Sequence, residues 1–295
     1  MTDESACWQV LSRACAAVGL PAEGAEPIRL GENAVFRLPG HLVARVSRPG
    51  QQGTARREVA VSHWLNAAGV AAVAALEGID QPVEVDGRSV TFWHELTDLR
   101  EGTPVQVATV LKRLHALPVP AGVPLGPLRP FVRLAERIEG SVTLPDGDRA
   151  WLMERLAELE GQWATVAGGL EVCVVHGDAW SGNVMASGGG QVVLLDLERC
   201  SIGPREWDLV STAFKHVTTA LITSTQYAEF CQTYGYDVTA WTGFETFRDI
   251  RELRVTCYAA QLAAEHPQYQ EEARLRVDCL RGRHGPRPWP WKPVG

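Results

Sequence analysis

The stretch that most restricts the fold is VCVVHGDAWSGNVM, residues 172–185. Four apolar residues run into His176-Gly177-Asp178, a short polar turn follows, and Asn183 comes five residues after Asp178. A second apolar run, QVVLLDLE, places Asp196 eighteen residues beyond Asp178. Short apolar runs bounded by turn residues read as buried strands. The glycine-rich ASGGGQ between them favours a hairpin. That hairpin carries Asp178, Asn183 and Asp196 to one end of a paired sheet. Two carboxylates and an amide oxygen then face one space.

Hard oxygen ligands of this kind suit Mg²⁺ that also carries substrate phosphates. A carboxylate beside such a metal can accept the proton of an attacking hydroxyl, the division of labour that phosphoryl transfer uses. Each residue alone has an ordinary reading, as a cap or an Asx-turn; the ordered set is far more specific. A zinc site at His176 and Asp178 lacks any HExxH or Cys/His set. Ser181 as a nucleophile lacks a GxSxG context.

Around this centre the chain changes character. Residues 4–18 carry a helical apolar stripe. PIRLGENAVFRLPGHLVARVSRPG alternates like strands, with turns at Gly31-Glu32-Asn33 and Pro39-Gly40. Residues 54–68 read as a helix, with Thr54 as N-cap and Gly69 beyond the C-terminus. QPVEVDGRSVTFWHEL reads as a hairpin around Asp86-Gly87. Helical patterns follow at 105–117, 131–139 and 149–160, strands at 170–175 and 192–197, and mostly helix from 204 to 281. The Pro-rich tail GPRPWPWKPVG excludes a helix. The order is a small sheet-rich lobe followed by a larger helical one.

The net charge of −7 argues against a nucleic-acid partner and is compatible with a cationic small molecule. No apolar run approaches the ~18–20 residues of a membrane span. Seven cysteines, an odd number without a CxxC pair, read as reduced thiols in a cytoplasm. MTDESACWQV has no basic segment before an apolar core, so no secretory signal is expected.

VVHGDAWSGNVM followed by VVLLDLERCSIGPREWDL resembles the aminoglycoside phosphotransferase and choline kinase family. These are small-molecule kinases with a protein-kinase-like fold. The resemblance implies a bilobal α/β (α+β) chain, with a nucleotide-binding antiparallel-sheet lobe over 1–96 and a helical catalytic and acceptor-binding lobe over 97–295. It implies Asp178 as catalytic base, His176 bracing its loop, Asn183 and Asp196 on Mg²⁺, and Asp208 anchoring the catalytic turn. Arg45, in LVARV, falls where the family often carries a phosphate-binding lysine, and Glu58 is its implied partner. Arginine keeps the charge and offers a fork, without being equivalent. No G-x-G-x-x-G occurs, so Gly31 and the backbone after it are the candidates to cover the phosphates. Glu95 and Leu96 are the candidates at the adenine hinge. The co-substrate is ATP or GTP.

The implied acceptor is a small hydroxylated molecule, an aminoglycoside or other antibiotic first. A metabolite kinase for choline, homoserine or a sugar is the alternative, as is a nucleotide-binding protein without catalysis. A polycationic acceptor calls for acidic walls, and Glu198, Glu206, Asp249, Glu252 and Glu265 are the candidates. Arg251, Glu252 and Arg254 read as a solvated charged helix face. Trp180 and the Trp289-Pro290-Trp291 tail can cover a pocket or pack into the core. Oligomeric state is not legible.

Overall fold

Cys7, Val10, Leu11, Ala14 and Cys15 recur at helical spacing and are all buried in the first helix, α1 (Glu4–Val18). Their stripe packs on Phe36, Ala44, Val90 and Phe92, which line one face of a sheet. The computed structural model describes residues 4–30, 33–166, 171–187 and 190–294. The sheet contains β1 (Glu26–Leu30), β2 (Ala34–Leu38) and β3 (Leu42–Val46), then, beyond α2 (Gln52–Ala67), β4 (Val83–Val85) and β5 (Arg88–His94). It is antiparallel throughout, in the order β1-β2-β3-β5-β4. Side chains alternate across a strand. In β3, Leu42, Ala44 and Val46 face α1, so Arg45 faces the other way, toward the helical lobe.

The Asp86-Gly87 hairpin is present, both residues having positive φ, 51° and 75°. The α2 helix starts two residues before Thr54; Gln51 precedes it without a side-chain cap. Gly69, at φ 76°, follows its last turn. One side of α2 puts Val59 against Ala75 and Trp93. Its Val61 and Leu65 instead join the core of the helical lobe, with Leu111, Leu159 and Leu194. The Glu58 helix is therefore packed on both lobes.

A two-residue strand, β6 (Arg100–Glu101), leads into α3 (Pro104–His115), which opens on a capping box between Thr103 and Gln106. Then come α4 (Leu134–Glu139), α5 (Asp146–Val166), β7 (Val172–Val175), β8 (Val184–Ala186), β9 (Val192–Leu194) and β10 (Ser201–Pro204). The helices α6 (Glu206–Val217), α7 (Ser224–Tyr234), α8 (Phe244–Glu265) and α9 (Gln270–Leu280) complete the lobe. A hairpin does lead into the 192–197 run, but its first strand is β8, which the sequence reading did not mark. However, β7 pairs with β10 rather than with the hairpin, and β6 adds to β8. The α4 helix begins later than residue 131 because Arg133 takes a left-handed φ of 64°. The α5 helix is longer than the 149–160 pattern, and residue 170, at the start of an expected strand, lies outside the described residues. The strand expected over 192–197 ends at Leu194, because Asp196 turns to φ 53°. The tail is not helical; Trp289 and Trp291 stack at 5.1 Å and bury beside Cys279, packing on the lobe.

Candidate active site

The His176-Gly177-Asp178 turn bends at Gly177, with φ 82°; a Cβ there would lie 2.4 Å from the Arg199 carbonyl oxygen, so only glycine fits. Asp208, from the first turn of α6, is fully buried behind it. Its carboxylate accepts the backbone N–H groups of His176 at 2.7 Å and Gly177 at 2.9 Å. It also meets His115 Nε2 at 3.1 Å, while His115 Nδ1 lies 2.8 Å from the Tyr234 hydroxyl. Trp207 Nε1 donates to the Gly177 carbonyl at 2.9 Å. Adjacent side chains of α6 thus grip the turn. His115 was missed by sequence reasoning; its only signal is its place in RLHAL.

His176 is buried, with Nε2 2.8 Å from the Leu195 carbonyl. A carbonyl only accepts, so Nε2 carries the proton, and Nδ1 accepts the Asp178 N–H at 3.3 Å. Both ring nitrogens are engaged by the backbone. His176 therefore ties the Asp178 turn to the strand end before Asp196.

Asp178, Asn183 and Asp196 meet at the open end of the β8–β9 hairpin, where the Leu195 N–H donates to the Asn183 carbonyl at 2.8 Å. Asn183 Nδ2 donates to the Asp178 carbonyl at 3.0 Å and approaches its carboxylate at 3.5 Å. This fixes the amide and leaves Oδ1 with no protein donor among the described residues. The Asp196 carboxylate likewise accepts no hydrogen bond among them. Burial, then the nearby Glu198, raises its pKa against the pull of Arg45. A carboxylate whose charge its surroundings disfavour, beside an amide oxygen with no donor among the described residues, fits a Mg²⁺ that arrives with a nucleotide, because such an ion needs only one or two protein ligands. Among the described residues no three His, Cys, Asp or Glu side chains form a metal cage by themselves.

The two aspartates are tuned in opposite directions. Burial alone would raise Asp178, but Arg251, with Arg254 behind it, overcomes that and holds it below the ordinary carboxylate range. Arg251 donates to Asp178 Oδ1 at 2.8 Å and is itself 8% exposed. The solvated charged face expected over Arg251, Glu252 and Arg254 is thus overturned: Arg251 and Glu252 are buried and Arg254 is half-buried.

Arg45 joins Glu58 through both carboxylate oxygens, at 2.7 and 2.8 Å, and reaches Glu198 at 2.7 Å. Burial lifts Glu58 to about 7, despite Arg45 and helped by Asp196 and Glu198. Gly31 lies outside the described residues. The Glu95 N–H is taken by the His41 carbonyl and its carboxylate by Arg37. Leu96, the next residue, makes no backbone hydrogen bond among the described residues.

The acidic side chains singled out for a cationic acceptor are mostly engaged elsewhere. Glu198 meets Arg45. Glu206 is buried beside Arg205. Asp249 pairs with Arg155 and Arg248. Glu252 holds Arg287 and Thr218. Glu265 is exposed at the end of α8. Trp180 stays partly exposed, at 36%, with Lys215 5.3 Å from its ring centroid.

Residues 25–249 match the family model described as the phosphotransferase enzyme family. The chain belongs to that family. Solved structures are similar to this phosphotransferase. An aminoglycoside phosphotransferase from Streptomyces rimosus is 20% identical, with a TM-score of 0.62 over 86% of this chain and 99% of that one. A choline/ethanolamine kinase family protein from Mesorhizobium loti is 20% identical, with a TM-score of 0.59 over 96% and 98%. A spectinomycin phosphotransferase is 12% identical, with a TM-score of 0.64 over 94% of each chain. At these identities the likeness establishes the bilobal, protein-kinase-like architecture of the phosphotransferase. No curated protein matches it by sequence.

Proposed function

We propose that the chain moves the γ-phosphoryl group of ATP or GTP onto a hydroxyl of a small molecule. The observation that carries this reading is the Asp178, Asn183 and Asp196 set, in which one carboxylate is held ionised and the other is left without a partner. Residues 1–96 would bind the nucleotide and residues 97–295 the acceptor. Arg45, oriented by Glu58, contacts the phosphates, and the free backbone of Leu96 meets the base. Asn183 Oδ1 and Asp196 would hold Mg²⁺, which when bound neutralises charge on the phosphates.

Asp178 accepts a hydrogen bond from the acceptor hydroxyl and aims its oxygen at the γ-phosphorus. The new O–P bond forms as the bond to the β,γ-bridging oxygen breaks. The nucleoside diphosphate leaves with that electron pair, and the hydroxyl proton passes to Asp178. A carboxylate held this low is a weak base, so the proton moves late, once O–P bonding has acidified it. Among the similar structures, the Streptomyces rimosus enzyme is known with ADP and streptomycin, and the spectinomycin enzyme with ADP and its antibiotic. Both support a small hydroxylated acceptor.

The test is a thermal-shift titration with Mg²⁺-ATP and Mg²⁺-GTP, followed by diphosphate production over a panel of hydroxylated compounds. A ligand that binds only the native state raises the melting temperature. No rise with either nucleotide would defeat the reading.

A further inference from the structure

A cavity of about 1010 Å³ opens beside the catalytic turn, between α2, the 126–137 segment and α8, with Gly177 and Trp207 in its wall. Among the described residues its charged lining is eight arginines and three glutamates. The glutamates are already engaged: Glu58 and Glu198 by Arg45, Glu136 by Arg133. Arg129 and Arg254, on the helical-lobe wall, have no carboxylate within ion-pair distance among the described residues. Arg254 lies 5.6 Å from the Trp207 ring centroid and donates to the Pro130 carbonyl. Loss of solvent around its guanidinium lowers its pKa to about 9. Arg57, across the cavity, donates to the Glu198 carbonyl at 2.7 Å and keeps a buried Nε with no partner among the described residues.

A nucleotide triphosphate accounts for the cations of the small lobe, next to Arg45. It does not account for those of the helical lobe. Arg251 and Arg254 are three residues apart, so they share a face of α8. That face presents Arg251 to Asp178 and Arg254 to the cavity. The catalytic carboxylate and the cationic wall are thus joined by one turn of helix. A polycation entering here would meet like charge, and among the described residues each lining glutamate already has an arginine partner.

We propose that the acceptor is a hydroxylated oxyanion, bearing a carboxylate or a phosphate monoester that docks on Arg254 and Arg129 while its hydroxyl reaches Asp178. This rests on the phosphotransfer reading above. Planar guanidinium forks match both oxyanions, and charge-assisted hydrogen bonds to them are strong.

The test uses one six-carbon polyol skeleton with its charge varied: sorbitol, gluconate, sorbitol 6-phosphate and glucamine. Each is titrated calorimetrically into the full chain saturated with Mg²⁺ and the non-hydrolysable analogue AMP-PNP, so that the triphosphate site is filled. Gluconate or sorbitol 6-phosphate should bind at least about tenfold more tightly than sorbitol and glucamine. The stronger of the two identifies the oxyanion. Arg254→Gln and Arg129→Gln should each erase that preference without weakening AMP-PNP binding. Arg129 is exposed, so its variant keeps the test open if the Arg254 variant fails to fold. Equal binding of all four probes, no binding of any, or a preference for glucamine would overturn the proposal. So would anion binding that AMP-PNP abolishes, which would make the cavity part of the triphosphate site. Failure of AMP-PNP itself to bind would instead overturn the phosphotransfer reading.

Discussion

Arg251 donates a hydrogen bond to Asp178 at 2.8 Å, from a helix 73 residues further along the chain. The pair keeps Asp178 ionised and in one place. Asp178→Asn preserves the shape and removes the proton acceptor. Turnover should fall by on the order of 10²–10⁴-fold. The rise in melting temperature with Mg²⁺-nucleotide should persist. Wild-type diphosphate production by the variant would remove Asp178 as the base.

Asp208 accepts two backbone N–H groups and faces His115 while fully buried. Asp208→Ala strands those donors. We expect a stability loss of at least about 3 kcal/mol, read from the urea midpoint. Asp208→Asn retains one acceptor oxygen and should fall between the two. A wild-type midpoint for the alanine variant would show that the grip on Gly177 contributes nothing.

Glu58 titrates near pH 7 in the folded chain, because burial and its acidic neighbours outweigh Arg45. The unfolded carboxyl titrates near ~4.3. Between these values the native state binds more protons, so this group makes stability fall as pH rises through that window. Above about 7 the penalty is complete. Glu58→Gln has no proton to lose. Its melting temperature relative to wild type should therefore be higher at about pH 8 than at about pH 5.5. A pH-independent difference would mean that Glu58 keeps an ordinary pKa.

Asp196 has no hydrogen-bond partner among the described residues, and its charge is disfavoured by burial and by Glu198. Asp196→Ala should leave the nucleotide-free chain at least as stable as wild type. It should weaken Mg²⁺-nucleotide binding by about tenfold or more. A structural role would do the reverse, lowering the free chain's melting temperature and sparing the affinity.

The Asp86-Gly87 hairpin and the α1 stripe were legible because local periodicity and turn chemistry specify them. The β7–β10 pairing was not. Four-residue strands carry little register information, and their partner is chosen by long-range packing. The arginines of α8 were misread for a related reason. Charged residues on a helix usually face water, and nothing near 251 in sequence announces a carboxylate from residue 178. Glu198, named among the acidic residues of the helical lobe, lines the cavity, and only the tertiary structure shows it held by Arg45 from the other lobe.

The sequence by itself determined which groups are present and in what order: a His-Gly-Asp turn, an amide five residues on, and a second aspartate at the close of a hairpin. Backbone period and glycine geometry suffice to bring those together. Only the tertiary structure decided their charge states and what faces them. Asp178 is held low by α8, the charge of Asp196 is disfavoured by burial and Glu198, and arginines outnumber glutamates among the described residues that line the cavity beside them. Coulomb and desolvation energies depend on distance and burial in space, and spacing along the chain encodes neither.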